Sequence, residues 1–132
     1  MKIMIDTSAL YALMDGDDQN HERAKQAWSE IIQSEHTLIS SNYILVETFA
    51  LLQSRLGLKA VRGFHDDLMP MIHVEFVSST LHRLGIAALL AVSKRRPSLV
   101  DCVSFEVMRA LGIKTAFAFD PHFAEQGFDL IP

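Results

Sequence analysis

The sequence predicts an α/β domain of three layers, with helices on both faces of a mostly parallel sheet of four to five strands. Three observations predict it: short apolar runs of strand length recur along the chain, helix-period segments separate them, and most of those segments carry a recognisable start or stop signal. Lys2 to Ile5 is a short apolar run of the kind that makes a buried strand, and Thr7 or Ser8 can cap a helix beginning near Ala9. Asp15-Gly16-Asp17-Asp18-Gln19-Asn20 is a polar loop by composition. From His21 to about Ser34, Ala24, Ala27, Trp28, Ile31 and Ile32 recur at helical spacing. Thr37 to Ser40 reads as a second strand. Ser41 or Asn42 then caps a long helix through about Leu56, ended by Gly57. Lys59 to Leu68 continues as a helix with Val61, Phe64 and Leu68 on one face, terminated by Met69-Pro70. Ile72 to Val77 is a third strand, Ser79 to Ser93 a helix, Ser98 to Leu111 another helix closed by Gly112, and Thr115 to Phe119 a fourth strand. The tail from Pro121 onward adds a short edge element.

A chain of 132 residues with 49% hydrophobic and 21% charged residues has average globular usage, which argues against disorder, collagen-like repeats and coiled coil. No internal repeat, low-complexity segment or linker divides it, so one domain spanning 1–132 is expected. The one cysteine, Cys102, cannot form an internal disulfide or a thiol-rich zinc site. Met1-Lys2-Ile3-Met4-Ile5 meets Asp6 before the apolar core of a signal peptide can form, and the apolar stretches are too short to span a bilayer. A soluble, cytoplasmic protein without a membrane partner is therefore expected. The net charge of −4 leaves no bulk electrostatic footprint for nucleic acid, so any polyanionic substrate must be handled locally by a few cations or a metal.

Asp6 directly follows the first predicted strand and Asp120 directly follows the fourth, which puts both at the carboxyl-end rim where ligands sit in open α/β sheets. Glu47 is the only charge between Ile44 and Gln53, on a helix that is apolar on most sides. An unpaired buried carboxylate costs several kcal/mol, so Glu47 should be exposed, paired with Arg55 or Arg62, or bound to a cation. Asp101 stands three residues after Ser98, a capping-box spacing, although such boxes prefer Glu or Gln at that position. Each acid alone has a structural explanation. If all four converge, repulsion forbids them from being ionised together without a cation. Oxygen ligands of this type select Mg2+, with Mn2+ as the alternative, and an ion so held beside an open position suits hydrolysis of a phosphodiester.

Taken in order, Ile5-Asp6-Thr7-Ser8-Ala9-Leu10, Leu45-Val46-Glu47-Thr48, Ser98-Leu99-Val100-Asp101-Cys102 and Phe119-Asp120-Pro121-His122-Phe123 resemble a PIN-domain ribonuclease, most closely the VapC-type toxins of bacterial toxin–antitoxin pairs. The resemblance covers nearly the whole chain. It implies a PIN-like fold and a magnesium-dependent endoribonuclease in which Asp6, Glu47, Asp101 and Asp120 are the catalytic and metal-binding acids. It also implies a homodimer and a cognate antitoxin, whose amphipathic segment is expected near the helices of His21 to Ser34 and Ser41 to Leu56. Thr7, Ser8, Ser98, Arg95 and Arg96 are the expected substrate-binding residues; the Lys94-Arg95-Arg96 run can equally complement the end of the preceding helix. Two departures fall at the last acid: Ala118 replaces the Thr or Ser often found two residues before it, and Pro121 follows it where a polar residue is common. His122 could supply a proton, but with six histidines scattered along the chain it is not assigned to the site. Among the phenylalanines, Phe123 is expected to be exposed and able to stack on a base.

Two other functions fit the same fold class. A magnesium-dependent phosphoacceptor or phosphatase is disfavoured, because Asp6-Thr7-Ser8 lacks a second acid two positions on. A non-catalytic binding module is disfavoured by the presence of all four acids.

Overall fold

Ile3, Met4 and Ile5 of β1 (Lys2–Ile5) are all fully buried. Because successive side chains leave a strand on opposite faces, this run requires helical cover on both sides of the sheet. The structure is a computed structural model that describes residues 1–92 and 97–132. β1 leads through α1 (Thr7–Met14) and α2 (His21–Gln33) to β2 (Thr37–Ser41), and through α3 (Asn42–Arg55) and α4 (Leu58–Gly63) to β3 (Ile72–Glu75). The chain returns through α5 (Ser79–Ala91) and α6 (Leu99–Leu111) to β4 (Thr115–Phe117), then through α7 (His122–Glu125) to β5 (Asp129–Ile131).

The five strands stand in the order β3-β2-β1-β4-β5, and every pairing is parallel. The chain winds outward from β1 in one direction and then crosses back to wind in the other. The strand order thus reverses between β1 and β4, and the crevice at the carboxyl ends of those two strands is where such sheets bind ligands. No helix among the described residues is long and apolar enough to cross a membrane.

The expected elements are present, with shifts at their ends that have local causes. α1 starts at Thr7 because Asp6, rather than Thr7 or Ser8, is its N-cap, accepting from the Ser8 backbone N–H. Ser41 caps α3 as expected, and Gly57, at φ +90°, ends it by donating to the Leu52 carbonyl. The helix expected over Lys59 to Leu68 stops at Gly63, and the chain continues as a wider turn over Phe64–Leu68 and a 3₁₀ turn over Met69–Met71. Pro70 cannot continue an α-helix, and the fully buried Phe64 ring, edge-on to Phe49 with centroids 5.2 Å apart, anchors the segment.

β3 stops at Glu75 rather than Val77, whose N–H donates to Asn42 Oδ1 at 2.8 Å instead of to a strand. β4 likewise stops at Phe117 rather than Phe119, whose N–H is taken by the Ser8 hydroxyl at 2.9 Å. α5 ends at Ala91, short of Ser93, where Val92 turns extended. The tail forms both a helical turn and the edge strand β5. Phe123, expected at the surface, is fully buried edge-on against Phe105, with centroids 5.1 Å apart.

Helices α5 and α6 pack closely at Gly85, where an added Cβ would lie 2.4 Å from Val103 Cγ2 and 3.1 Å from its Cα. Val103 is fully buried and β-branched, so it cannot swing away. Gly85→Ala should therefore lower stability by ~1–3 kcal/mol despite alanine's better helix propensity, read from the denaturant midpoint; an unchanged or higher midpoint would contradict this packing.

Candidate active site

A cavity of about 540 Å³ lies among the elements that flank the β1–β4 crevice, lined by Asp6, Thr7, Ser8, Glu47, Leu51, Ser98, Asp101 and Asp120. All four acids singled out in the sequence are among its walls. They arrive from four places: the end of β1, the middle of α3, the first turn of α6 and the segment after β4.

Asp6 is 4% exposed, with Oδ2 accepting from the Ser8 hydroxyl at 2.7 Å and the Ser8 N–H at 3.2 Å. The same hydroxyl accepts from the Phe119 N–H, so a relay of donors runs from the post-β4 segment through Ser8 to Asp6. Thr7 turns toward α3, bonding the Ile44 carbonyl at 3.3 Å and the Thr48 hydroxyl at 3.0 Å. Asp101 forms a full capping box with Ser98: the Asp101 N–H donates to Ser98 Oγ, and the Ser98 N–H donates to Asp101 Oδ2 at 3.0 Å. The cap fixes the rotamer that carries Asp101 into the cavity wall, so the structural and the site readings of this residue coexist.

Asp120 sits three residues beyond β4 rather than directly after it, because β4 ends at Phe117. Its Oδ1 accepts from the His122 N–H at 2.9 Å and from His122 Nδ1 at 2.6 Å. Glu47 is half-buried on α3 and, among the described residues, is not paired with Arg55, whose guanidinium lies over the Tyr11 ring. Leu51, one turn beyond Glu47, supplies an apolar wall. The expectations for Arg95 and Arg96 lie outside the described residues.

Electrostatics show the acids to be mutually aware. Burial, then repulsion from Asp101 and Asp120, pushes the Asp6 carboxyl up from 3.8 to about 6 against the Ser8 hydrogen bonds that favour ionisation. Asp101 is also raised, by burial first and by Asp120. Two carboxylates and an imidazole, Asp101, Asp120 and His122, each present a donor atom within 4.8 Å of the others. A donor set of crowded, partly desolvated carboxylates fits a divalent cation. Oxygen donors dominate it, as hard ions require.

Comparison with known proteins agrees with this geometry. The profile of the PIN domain family matches residues 3–129. The 23S rRNA-specific endonuclease VapC20 of Mycobacterium tuberculosis is 36% identical over 127 residues, covering 96% of this chain and 95% of the relative. The crystal structure of Mycobacterium tuberculosis VapC20, described as a sarcin-ricin loop cleaving toxin, superposes with a TM-score of 0.87 at 34% identity, over 98% of this chain and 99% of that one. VapBC2 from Rickettsia felis shares the fold at a TM-score of 0.73 and 11% identity, over 98% of this chain and 97% of that one.

The raised Asp6 carboxyl has a stability consequence. An unfolded Asp gives up its proton near 3.8 while the folded one holds it to about 6, so the ion-free protein loses stability as pH rises through that window and regains none above it. Asp6→Asn keeps a capping acceptor and removes the charge. Its gain over the wild type, from melts in chelator, should be small at pH 4 and grow to at most ~3 kcal/mol at pH 7.5. A difference that is constant with pH would contradict the crowding.

Proposed function

The chain belongs to the PIN-domain family, and from that premise we propose that it is a metal-dependent endoribonuclease, the toxin of a toxin–antitoxin pair. The observation that carries the proposal is the arrival of Asp6, Glu47, Asp101 and Asp120 from four separate segments at one cavity. Asp6, Asp101 and Asp120 would hold the ion, Mg2+ or Mn2+, with Glu47 completing the set. When bound, the ion supplies Lewis-acid polarisation of the phosphodiester and a more acidic water.

The rest of the work falls to the chain. Ser8 holds Asp6 Oδ2 in place, and Ser98 holds Asp101. Glu47, less buried than Asp6 and Asp101 and not anchored by a cap, orients the attacking water and takes its proton. Thr7, Ser8 and Ser98 line the route of the RNA backbone, and Leu51 keeps one wall dry. Arg95 and Arg96, close in sequence to Asp101, would supply cations for the RNA phosphates that the chain's net charge of −4 otherwise lacks. Because the mycobacterial relative is named for 23S rRNA, ribosomal RNA is the first substrate to try.

Asp101→Asn should abolish cleavage of RNA, and excess chelator should abolish it in the wild type. The assay is the appearance of defined 5′ ends, mapped by sequencing. Full activity in Asp101→Asn or in chelator would sink the proposal.

The partners follow from the surface and from the relative's description as a toxin, which supports a cognate antitoxin. The antitoxin segment is proposed to lie along α2 and α3. A homodimer is supported by large apolar side chains left in water: Val46 is 70% exposed, Phe76 74% and Leu90 79%. The bond from the Val77 N–H to Asn42 and the contact of Tyr43 with His82 bring the exit of β3 and the first turn of α5 against the start of α3, the elements that carry Phe76 and Val46. The wild type should scatter light as a dimer at micromolar concentration independently of salt, and Leu90→Glu as a monomer. A monomeric wild type would contradict the dimer.

A further inference from the structure

Among the described residues, the group whose donor atoms approach closely enough to share an ion is Asp101, Asp120 and His122, so the imidazole is either a ligand or the support of one. Two observations decide between these. His122 Nδ1 is already engaged by Asp120 Oδ1 at 2.6 Å, and His122 is not among the residues that line the acidic cavity, whereas Asp120 is. The imidazole therefore stands behind Asp120.

We propose that His122 is a positioning residue that sets the rotamer of Asp120 and so supplies metal affinity without touching the ion or the RNA. The inference rests on the metal-dependent reading above. Its geometry is a double clamp, in which backbone N–H and ring nitrogen of one residue both hold the same carboxylate oxygen. Pro121, at φ −67° and ψ −14°, fixes the turn between the two residues and needs no hydrogen-bond partner for its nitrogen. The side chains are 18% and 12% exposed, so the clamp works in a partly desolvated setting where a charge-assisted bond is strong. This also gives a physical role to the proline at which the chain departs from the common pattern of its family: Asp120-Pro121-His122 is a closed Asx turn with its own side-chain lock. Fully buried Phe123, packed on Phe105, anchors the turn from the other side.

The test is Mn2+ binding to the full chain, by calorimetry and by the electron-spin resonance of the bound ion, in the wild type, His122→Phe, His122→Asn and Asp101→Asn. His122→Phe keeps a ring and the backbone N–H but removes the side-chain donor, and should weaken Mn2+ by roughly tenfold or more. His122→Asn puts an amide nitrogen near the position of Nδ1 and should recover most of that loss. Should the Phe variant fail to fold, His122→Ala carries the same comparison with Asn. Wild-type Mn2+ affinity in His122→Phe, or equal losses in Phe and Asn, would overturn the proposal. So would a nitrogen hyperfine coupling to the bound ion that vanishes in His122→Phe, since it would make His122 a ligand. If Asp101→Asn also binds Mn2+ like the wild type, the metal site itself fails, an outcome distinct from failure of the clamp alone.

Discussion

The structure depends on one electrostatic constraint: acids from four parts of the chain meet at the carboxyl edge of the sheet, and two of them are nearly inaccessible to water. Burial and repulsion both oppose ionisation there, as the raised Asp6 and Asp101 carboxyls record. Such an arrangement persists only if the surrounding framework over-determines it. Here the framework is the central strand β1, fully buried over three residues, whose last peptide is bonded onward from the Asp6 N–H to the Phe117 carbonyl. The two strands that bracket the topological reversal are thereby tied at the point where the acids begin.

Each acid is held by a short local device. Asp6 caps α1 by accepting from Ser8, Asp101 closes the capping box whose N-cap is Ser98, and Asp120 closes a turn with His122. These contacts only partly offset burial and crowding, since the Asp6 carboxyl stays raised to about 6 despite both Ser8 hydrogen bonds. Glu47 is the exception, half-buried on a helix that caps nothing with it.

Much of this was legible in the sequence because the signals are local. Apolar runs marked the strands, Ser41 and Ser98 marked helix starts, and isolated acids at strand ends and helix faces marked the cavity before any of them were placed in space. The misses came from long-range competition. β3 and β4 end sooner than their apolar runs because the N–H groups of Val77 and Phe119 are captured by Asn42 and Ser8, which are distant in sequence. Phe123 was read as exposed because its partner Phe105 belongs to another helix. His122 stands out little in the sequence because six histidines are scattered along the chain. The usable signal was its spacing from Asp120 across Pro121, which a turn converts into contact.

The cavity at the β1–β4 reversal is proposed to hold a divalent ion through carboxylates. The most direct measurement is anomalous diffraction from crystals of the full chain grown with Mn2+. An anomalous peak is expected within bonding distance of carboxylate oxygens from Asp101 and Asp120, and facing Asp6. Well-ordered acids with no peak between them, or a peak held by residues elsewhere on the surface, would contradict it.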